Sequence, residues 1–252
     1  MQWFIPSAYY IMYLLGIIVL STSIVAVLIL RKYISTRSKI AFYLLIHVLL
    51  FLAAFMLTLV TLVTEYGHDY LGWDVPYLRR YSLIFATGCE AAGTIFLVRF
   101  ADAVFNIPHK VKNVLFIYGV ILLFVTLHPA NHYEIIPLEP VDINLAPIST
   151  LLLGIYVAVV SVIIYRGAAS AAEHASEKIY EIRLKFISYG ALSSIVTIFF
   201  SIMDTIIFNL YGWGYNFAAW GVWISIAVTI YLYYFGYAMP KFILKRYEKS
   251  PG

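Results

Sequence analysis

Charged residues and cysteine are both scarce in this sequence. Charged side chains make up 12% of the 252 residues, about half of the share found in soluble domains. The single cysteine, Cys89, excludes an intrachain disulfide and any metal site built from several cysteines. Hydrophobic residues reach 63% and gather in long runs between short polar stretches. This distribution is typical of an integral membrane protein.

Several functional motifs are also missing. The sequence has no phosphate-binding loop, no paired-histidine metal motif and no nucleophile elbow. The last apolar run, Phe217–Met239, contains no lysine that could form a retinal Schiff base. No basic stripe with interleaved aromatic residues marks a nucleic-acid surface. We therefore expect a non-enzymatic protein without a cofactor, a metal site or a nucleic-acid partner.

Seven apolar runs are long enough to cross a bilayer, which takes about 20 residues at 1.5 Å rise. Helices are expected rather than strands, because backbone groups in lipid must be hydrogen-bonded within the segment. The predicted fold is an all-α, polytopic seven-transmembrane-helix bundle that forms one domain over residues 1–252. The predicted spans are Ala8–Lys32, Lys39–Val63, Arg80–Phe105, Val111–His128, Pro147–Tyr165, Lys185–Asn209 and Phe217–Met239.

The basic residues of the loops predict the direction of these spans. One side of the membrane holds 14 of the 17 lysines and arginines, the other side holds only Arg79 and Arg80, and Arg99 lies within the third span. The basic side is expected to face the cytoplasm. The N-terminus is therefore predicted outside and the C-terminus in the cytoplasm. The basic side carries Arg31, Lys32, Arg37, Lys39, Lys110, Lys112, Arg166, Lys178, Arg183, Lys185, Lys241, Lys245, Arg246 and Lys249.

The tryptophans agree with this direction, since all five fall towards the predicted outer side. Trp3, Trp73 and Trp213 lie in outer segments, where indole rings anchor at lipid headgroups. Trp220 and Trp223 are three residues apart and share a face of the last helix. Two interpretations of this pair stay open, the lining of an outer cavity and contact with lipid.

Ionisable residues deep in a spanning helix are costly and are candidates for function. Glu90 and His47 both lie near the middle of the bilayer by their distance from the span ends. The two residues are candidates for a proton-responsive or ligand-binding pair. The alternative is a neutral glutamic acid that bonds a hydroxyl such as that of Thr94. Asp204, five residues from the outer end of its span, is a further candidate that points to an outer cavity or to interfacial water.

Arg99 and Asp102 are three residues apart near the cytoplasmic end of the third span. This spacing places both on one helix face and predicts a structural ion pair. The cytoplasmic stretch from Arg166 to Lys185 is rich in alanine and is expected to be a helical hairpin. Its surface carries Glu173, Glu177 and Glu181 among basic residues, which makes these three glutamates candidates for contact with a protein partner.

Two stretches carry a resemblance to a known family. Residues 181–190 read EIRLKFISYG and lead to Met203-Asp204, while residues 233–241 read YYFGYAMPK. Together with seven helices entered from outside, these stretches resemble the N-terminal seven-helix sensing region of prokaryotic histidine kinases and cyclases. The resemblance implies a role in signal transduction. Only residues 240–252 follow the last span, so no kinase or cyclase domain is expected.

The function predicted from these observations is a stand-alone seven-helix sensor or accessory membrane subunit in the cell membrane. It would act through a cytoplasmic signalling partner or a membrane complex. The alternative is a small-solute or proton-coupled transporter that uses Glu90 and Asp204.

Overall fold

The computed structural model describes residues 5–131, 145–211 and 216–239. These ranges are helical and contain no strand. Seven helices are long and apolar enough to span a membrane, which confirms the predicted helical class and indicates a multi-pass membrane protein. Trp3, Trp213 and the basic residues after Met239 lie outside the described ranges. The helices are α1 Ile5–Thr36, α2 Lys39–Leu71, α3 Pro76–Phe105, α4 His109–Thr126, α5 Ala146–Glu173, α6 Lys178–Tyr211 and α7 Phe217–Ala238.

Several helices are longer than the apolar runs that predicted them. Helix α2 continues eight residues beyond Val63 and ends where Gly72 adopts a left-handed conformation with φ 68°. Glycine is the usual residue at such a helix end because it has no Cβ to clash. The predicted ends followed the change from apolar to polar side chains. Backbone hydrogen bonding continues past that change until a residue leaves the helical conformation.

The helical hairpin predicted between the fifth and sixth spans is present. Helix α5 runs on to Glu173 and α6 begins at Lys178, so that only residues 174–177 connect them. The alanine-rich sequence accounts for this continuation, because alanine has the highest helix propensity. Both helices therefore extend well beyond their predicted ends at Tyr165 and Lys185.

Six of the helices form a closed ring. Neighbouring helices are in contact in the order α1, α2, α3, α5, α6 and α7, and α7 contacts α1 again. Helix α4 packs on the outside of this ring against α3 and α5. The ring gives each of its helices a face towards the centre of the bundle and a face towards lipid.

Helices α6 and α7 approach each other closely through small residues. A Cβ added to Gly236 would lie 2.8 Å from the Arg183 carbonyl oxygen and 3.0 Å from the Ile187 amide nitrogen. Hydroxyl groups join the same two helices, since Thr197 Oγ1 donates to Ser225 Oγ at 2.8 Å. Small residues and hydroxyl bonds of this kind hold helices together in membranes, where no hydrophobic force acts between them.

Candidate functional site

A stripe of side chains on α3 faces the centre of the ring. Its members recur every three or four residues and so lie on one helix face. Tyr81, nine residues before Glu90 and so about 180° round the helix, is exposed on the opposite face. Glu90 therefore points away from the face that meets lipid. The α3 stripe consists of Leu83, Thr87, Glu90, Thr94, Leu97 and Ala101.

Exposure changes abruptly along the α3 stripe. Leu83, Thr87 and Glu90, towards the start of α3, are half-buried. Thr94 and Leu97, nearer its end, retain only 1% and 4% of their exposure. The first half of the stripe is therefore more exposed than the second.

Glu90 has a carboxylate without a hydrogen bond or ion pair to any other residue that the structure describes. The hydroxyl of Thr94 bonds the backbone carbonyl oxygen of Glu90 at 2.9 Å, and not the carboxylate. Cys89, the residue before Glu90, is half-buried and lies on the adjoining face of α3. A carboxylate in this position needs a proton, a water molecule or a cation to complete its hydrogen bonding.

His47 is bound to the backbone of α3 and not to Glu90. Its Nδ1 lies 2.9 Å from the carbonyl oxygen of Gly93. A carbonyl oxygen only accepts, so Nδ1 carries the hydrogen of this bond. The imidazole is 4% exposed and packs against the rings of Phe51, at 4.7 Å, and Tyr233, at 6.4 Å. His47 thus connects α2, α3 and α7 at the level of Gly93, about one helical turn nearer the end of α3 than Glu90.

Aromatic rings continue from His47 along α2 towards the end of the bundle where α3 begins. Phe51 and Phe55 follow at intervals of four residues, and their ring centroids are 6.1 Å apart. Phe55 meets Trp223 of α7 edge to face at 6.0 Å. Trp220 and Trp223 are both half-buried and pack against the core. Trp223 is thereby brought to the same end of the ring as the half-buried part of the α3 stripe.

Asp204 has a specific partner at the start of α7. Its Oδ1 accepts a hydrogen bond of 2.6 Å from Asn216 Nδ2. Asn216 in turn accepts from the amide of Ala218 at 2.8 Å and so caps the first turn of α7. Asp204 is half-buried and couples the end of α6 to the start of α7. Among the described residues, no hydrogen bond or ion pair joins Asp204 to Glu90.

The predicted ion pair between Arg99 and Asp102 is wrong. Asp102 instead binds Lys112 of α4, with an Nζ to Oδ2 distance of 3.0 Å. The guanidinium of Arg99 lies over the ring of Phe116, also in α4, at 4.6 Å. Both α3 residues lie on one helix face, as their spacing predicts, but that face meets α4, which supplies a partner for each of them.

The sequence interpretation missed a polar junction at the ends of α3, α4 and α5. Arg80 is 1% exposed, and its guanidinium donates to the carbonyl oxygen of Pro129. Asn131 is fully buried and accepts a hydrogen bond of 2.7 Å from the hydroxyl of Ser149. The sequence places Arg80 at the first position of the third predicted span, among the basic residues of the outer side. Its partner, Pro129, is 49 residues away in the sequence, so the local sequence gives no signal of this contact.

The hairpin glutamates lie on the surface of the bundle. Glu173 and Glu177 are exposed. Glu181 bridges Lys178 at 3.1 Å and Lys185 at 2.5 Å on the same helix. Among the described residues no group of three or more histidine, cysteine or acidic side chains could hold a metal ion.

No protein-family model, curated protein or solved structure shows a significant match to this chain.

Proposed function

We propose that this chain is a non-enzymatic, seven-helix sensor or accessory subunit of a prokaryotic cell membrane and acts through a partner protein. The proposal follows the resemblance of residues 181–190 and 233–241 to the sensing region of histidine kinases and cyclases. The N-terminus lies outside and the C-terminus in the cytoplasm, as the uneven distribution of basic loop residues supports.

The observation that carries the proposal is the length and continuity of α6. Its 34 residues span about 51 Å at 1.5 Å per residue, about 20 Å more than the hydrocarbon core of a bilayer. Near one end, Asp204 is tied to the start of α7. Near the other end, Glu181 is held between two lysines of the hairpin. A tilt of this single helix would move the hairpin when the opposite end of the bundle changes.

The hairpin surface suits a protein partner. A loop that lies on anionic lipid headgroups is expected to be uniformly basic. Here the exposed Glu173 and Glu177 are followed by Lys178 and by Glu181, which is bridged to Lys178. A mixed-charge helical surface can select a complementary partner by its pattern of charges.

Partner capture tests this role. The tagged protein is purified from its native membrane under mild conditions, and the proteins that accompany it are identified. Changing Glu173, Glu177 and Glu181 together to glutamine should reduce capture of the partner and leave membrane insertion intact. A matched control changes Glu65 and Asp74, at the other end of the bundle, to their amides. Equal capture by both variants would refute the proposed use of the hairpin.

Orientation is tested separately by labelling single cysteines in a Cys89→Ser background. Ser35 and Asp74 are both exposed and lie at opposite ends of the bundle. An impermeant thiol reagent should label Asp74→Cys from outside intact cells and should not label Ser35→Cys. Labelling of Ser35→Cys alone would reverse the orientation.

A transporter that uses Glu90 and Asp204 is the second candidate. The half-buried, unpaired carboxylate of Glu90 favours it. The bond from Asp204 to Asn216 gives Asp204 a structural role instead, and all seven helices are continuous within the described ranges, whereas many transporters break their helices at the site. Solute uptake by the purified protein in proteoliposomes, lost in Glu90→Gln, would establish transport.

A further inference from the structure

The packing around His47 divides the centre of the ring into two parts. The bond from His47 to Gly93 fixes a level at which α2 and α3 touch. On the side where α3 ends, the centre is filled by buried side chains, including Leu97, Phe100 and Tyr233. On the side where α3 begins, Glu90 and the stripe residues before it keep part of their exposure. The side chains of the stripe are therefore buried towards the end of α3 and partly exposed towards its beginning.

A carboxyl group, a hydroxyl group and an indole ring lie towards this end of the ring. Glu90 contributes a carboxylate without a donor from the described residues. Thr87, one turn nearer the opening, contributes a half-buried hydroxyl. Trp223 of α7 meets Phe55, which lies about 12 Å further along α2 than His47, eight residues at 1.5 Å per residue. Ammonium groups bind carboxylates through charge and indole rings through the face of the ring, and Glu90 and Trp223 supply one group of each kind.

Other small ligands fit this space less well. An anion would be repelled by Glu90 in a medium where charges are weakly screened. A divalent metal ion such as Ca²⁺ takes six to eight oxygen ligands, and no metal-binding group of three acidic, histidine or cysteine side chains occurs in the described residues. A monovalent organic cation needs one carboxylate, and its apolar substituents suit the aromatic wall.

We propose that the half-buried part of the α3 stripe lines a vestibule that admits small organic cations of the ammonium class, with Glu90 as its anionic floor. The proposal names the ligand class of the proposed sensor and rests on that function for its biological meaning. The vestibule itself is a property of the chain that is measurable without a partner.

The test uses thiol reagents of different charge on the purified full chain in lipid nanodiscs, where both ends of the bundle are accessible. Thr87→Cys and Thr94→Cys are made in a Cys89→Ser background. Each is treated under alkaline conditions with the trimethylammonium-ethyl and the sulfonato-ethyl methanethiosulfonates. These two residues form a matched pair, because they share the stripe and the residue type and differ in burial.

Thr87→Cys should react, and faster with the cationic than with the anionic reagent, while Thr94→Cys should stay unreactive. Residues three apart on a helix are about 5–6 Å apart. The charge of Glu90 attracts the cationic reagent and repels the anionic one. At that distance, even in a water-like dielectric, the two reaction rates should differ by about tenfold. Glu90→Gln should abolish the ratio, and Asp204→Asn should leave it unchanged. Tetramethylammonium should slow modification of Thr87→Cys by neutral methyl methanethiosulfonate only when Glu90 is present.

Three results would overturn the proposal. The first is that neither Thr87→Cys nor Leu83→Cys, the second stripe position, reacts. The second is a charge preference that persists in Glu90→Gln, and the third is the absence of protection by tetramethylammonium. None of these results depends on partner capture. If the thiol experiments fail but the partner is still captured through the hairpin, the vestibule is refuted and the sensor role is retained. If the thiol experiments succeed but hairpin-dependent capture fails, the vestibule is retained and the sensor role is refuted.

Discussion

The contact between α6 and α7 at Gly236 gives the sharpest prediction about stability. In Gly236→Ala, the new Cβ would lie 2.8 Å from the carbonyl oxygen of Arg183, whereas ordinary contacts begin near 3.4 Å. The nearest obstacle on α6, Ile187 Cγ1 at 2.5 Å, belongs to a side chain that can move, but the Arg183 oxygen and the Ile187 nitrogen are backbone atoms that no rotamer change can remove. Helix α7 must therefore move away from α6 by about 0.6 Å, the difference between these two distances.

Gly16→Ala is the matched control, because a Cβ at Gly16 would have no atom within 4 Å. Both changes raise helix propensity by up to about 1 kcal/mol per residue. Only Gly236→Ala also overfills a packed interface, which costs about 1–3 kcal/mol. The difference between the two variants removes the propensity contribution. We expect Gly236→Ala to be less stable than Gly16→Ala by about 1–3 kcal/mol, roughly five- to 150-fold in the unfolding equilibrium.

The assay is reversible unfolding of both variants in the same detergent or bicelle, followed by a spectroscopic signal of tertiary structure. Equal stability of the two variants, within about 0.5 kcal/mol, would show that α6 and α7 do not approach as closely as their backbones indicate. Gly236→Leu extends the series, because a longer side chain at the same position should destabilise the bundle further.

Three further predictions concern single contacts. Asn216→Ala removes the cap of α7 and the partner of Asp204, and it should lower the free energy of unfolding by about 1 kcal/mol in the same assay. Asn216→Asp keeps a capping oxygen but loses the bond to Asp204, so this variant should separate the two effects. Asp102→Asn should weaken the contact of α3 with α4 and raise the reactivity of Lys112 towards a reagent that modifies amines. Unchanged reactivity would argue against the ion pair between Asp102 and Lys112. Gly72→Val forces a β-branched residue into the left-handed conformation that ends α2, which costs about 1–3 kcal/mol, and thermal unfolding that matches the parent protein would contradict this strain.

The candidate site shows where interpretation of the sequence stopped. Glu90 and His47 were selected because an ionisable side chain far from both ends of an apolar run is costly wherever the helix sits. Whether the two touch depends on the rotation of α2 against α3, which local sequence does not define. The structure uses His47 to bind the carbonyl of Gly93, where the missing side chain lets the two helices come close. The carboxylate of Glu90 therefore has no hydrogen bond to His47.

The sequence by itself determined the helical class and the seven apolar helices, because the length and composition of a span are set by the bilayer and need no neighbour. The partners of the charged residues were decided by tertiary structure alone. Asp102 shares a helix face with Arg99, yet it binds Lys112, since the packing of α4 on α3 brings a lysine within reach at 3.0 Å. Arg80 is likewise buried, and its guanidinium donates to the carbonyl oxygen of Pro129 in the segment that follows α4. Periodicity assigns a residue to a face, but only the packed ring decides which helix that face meets.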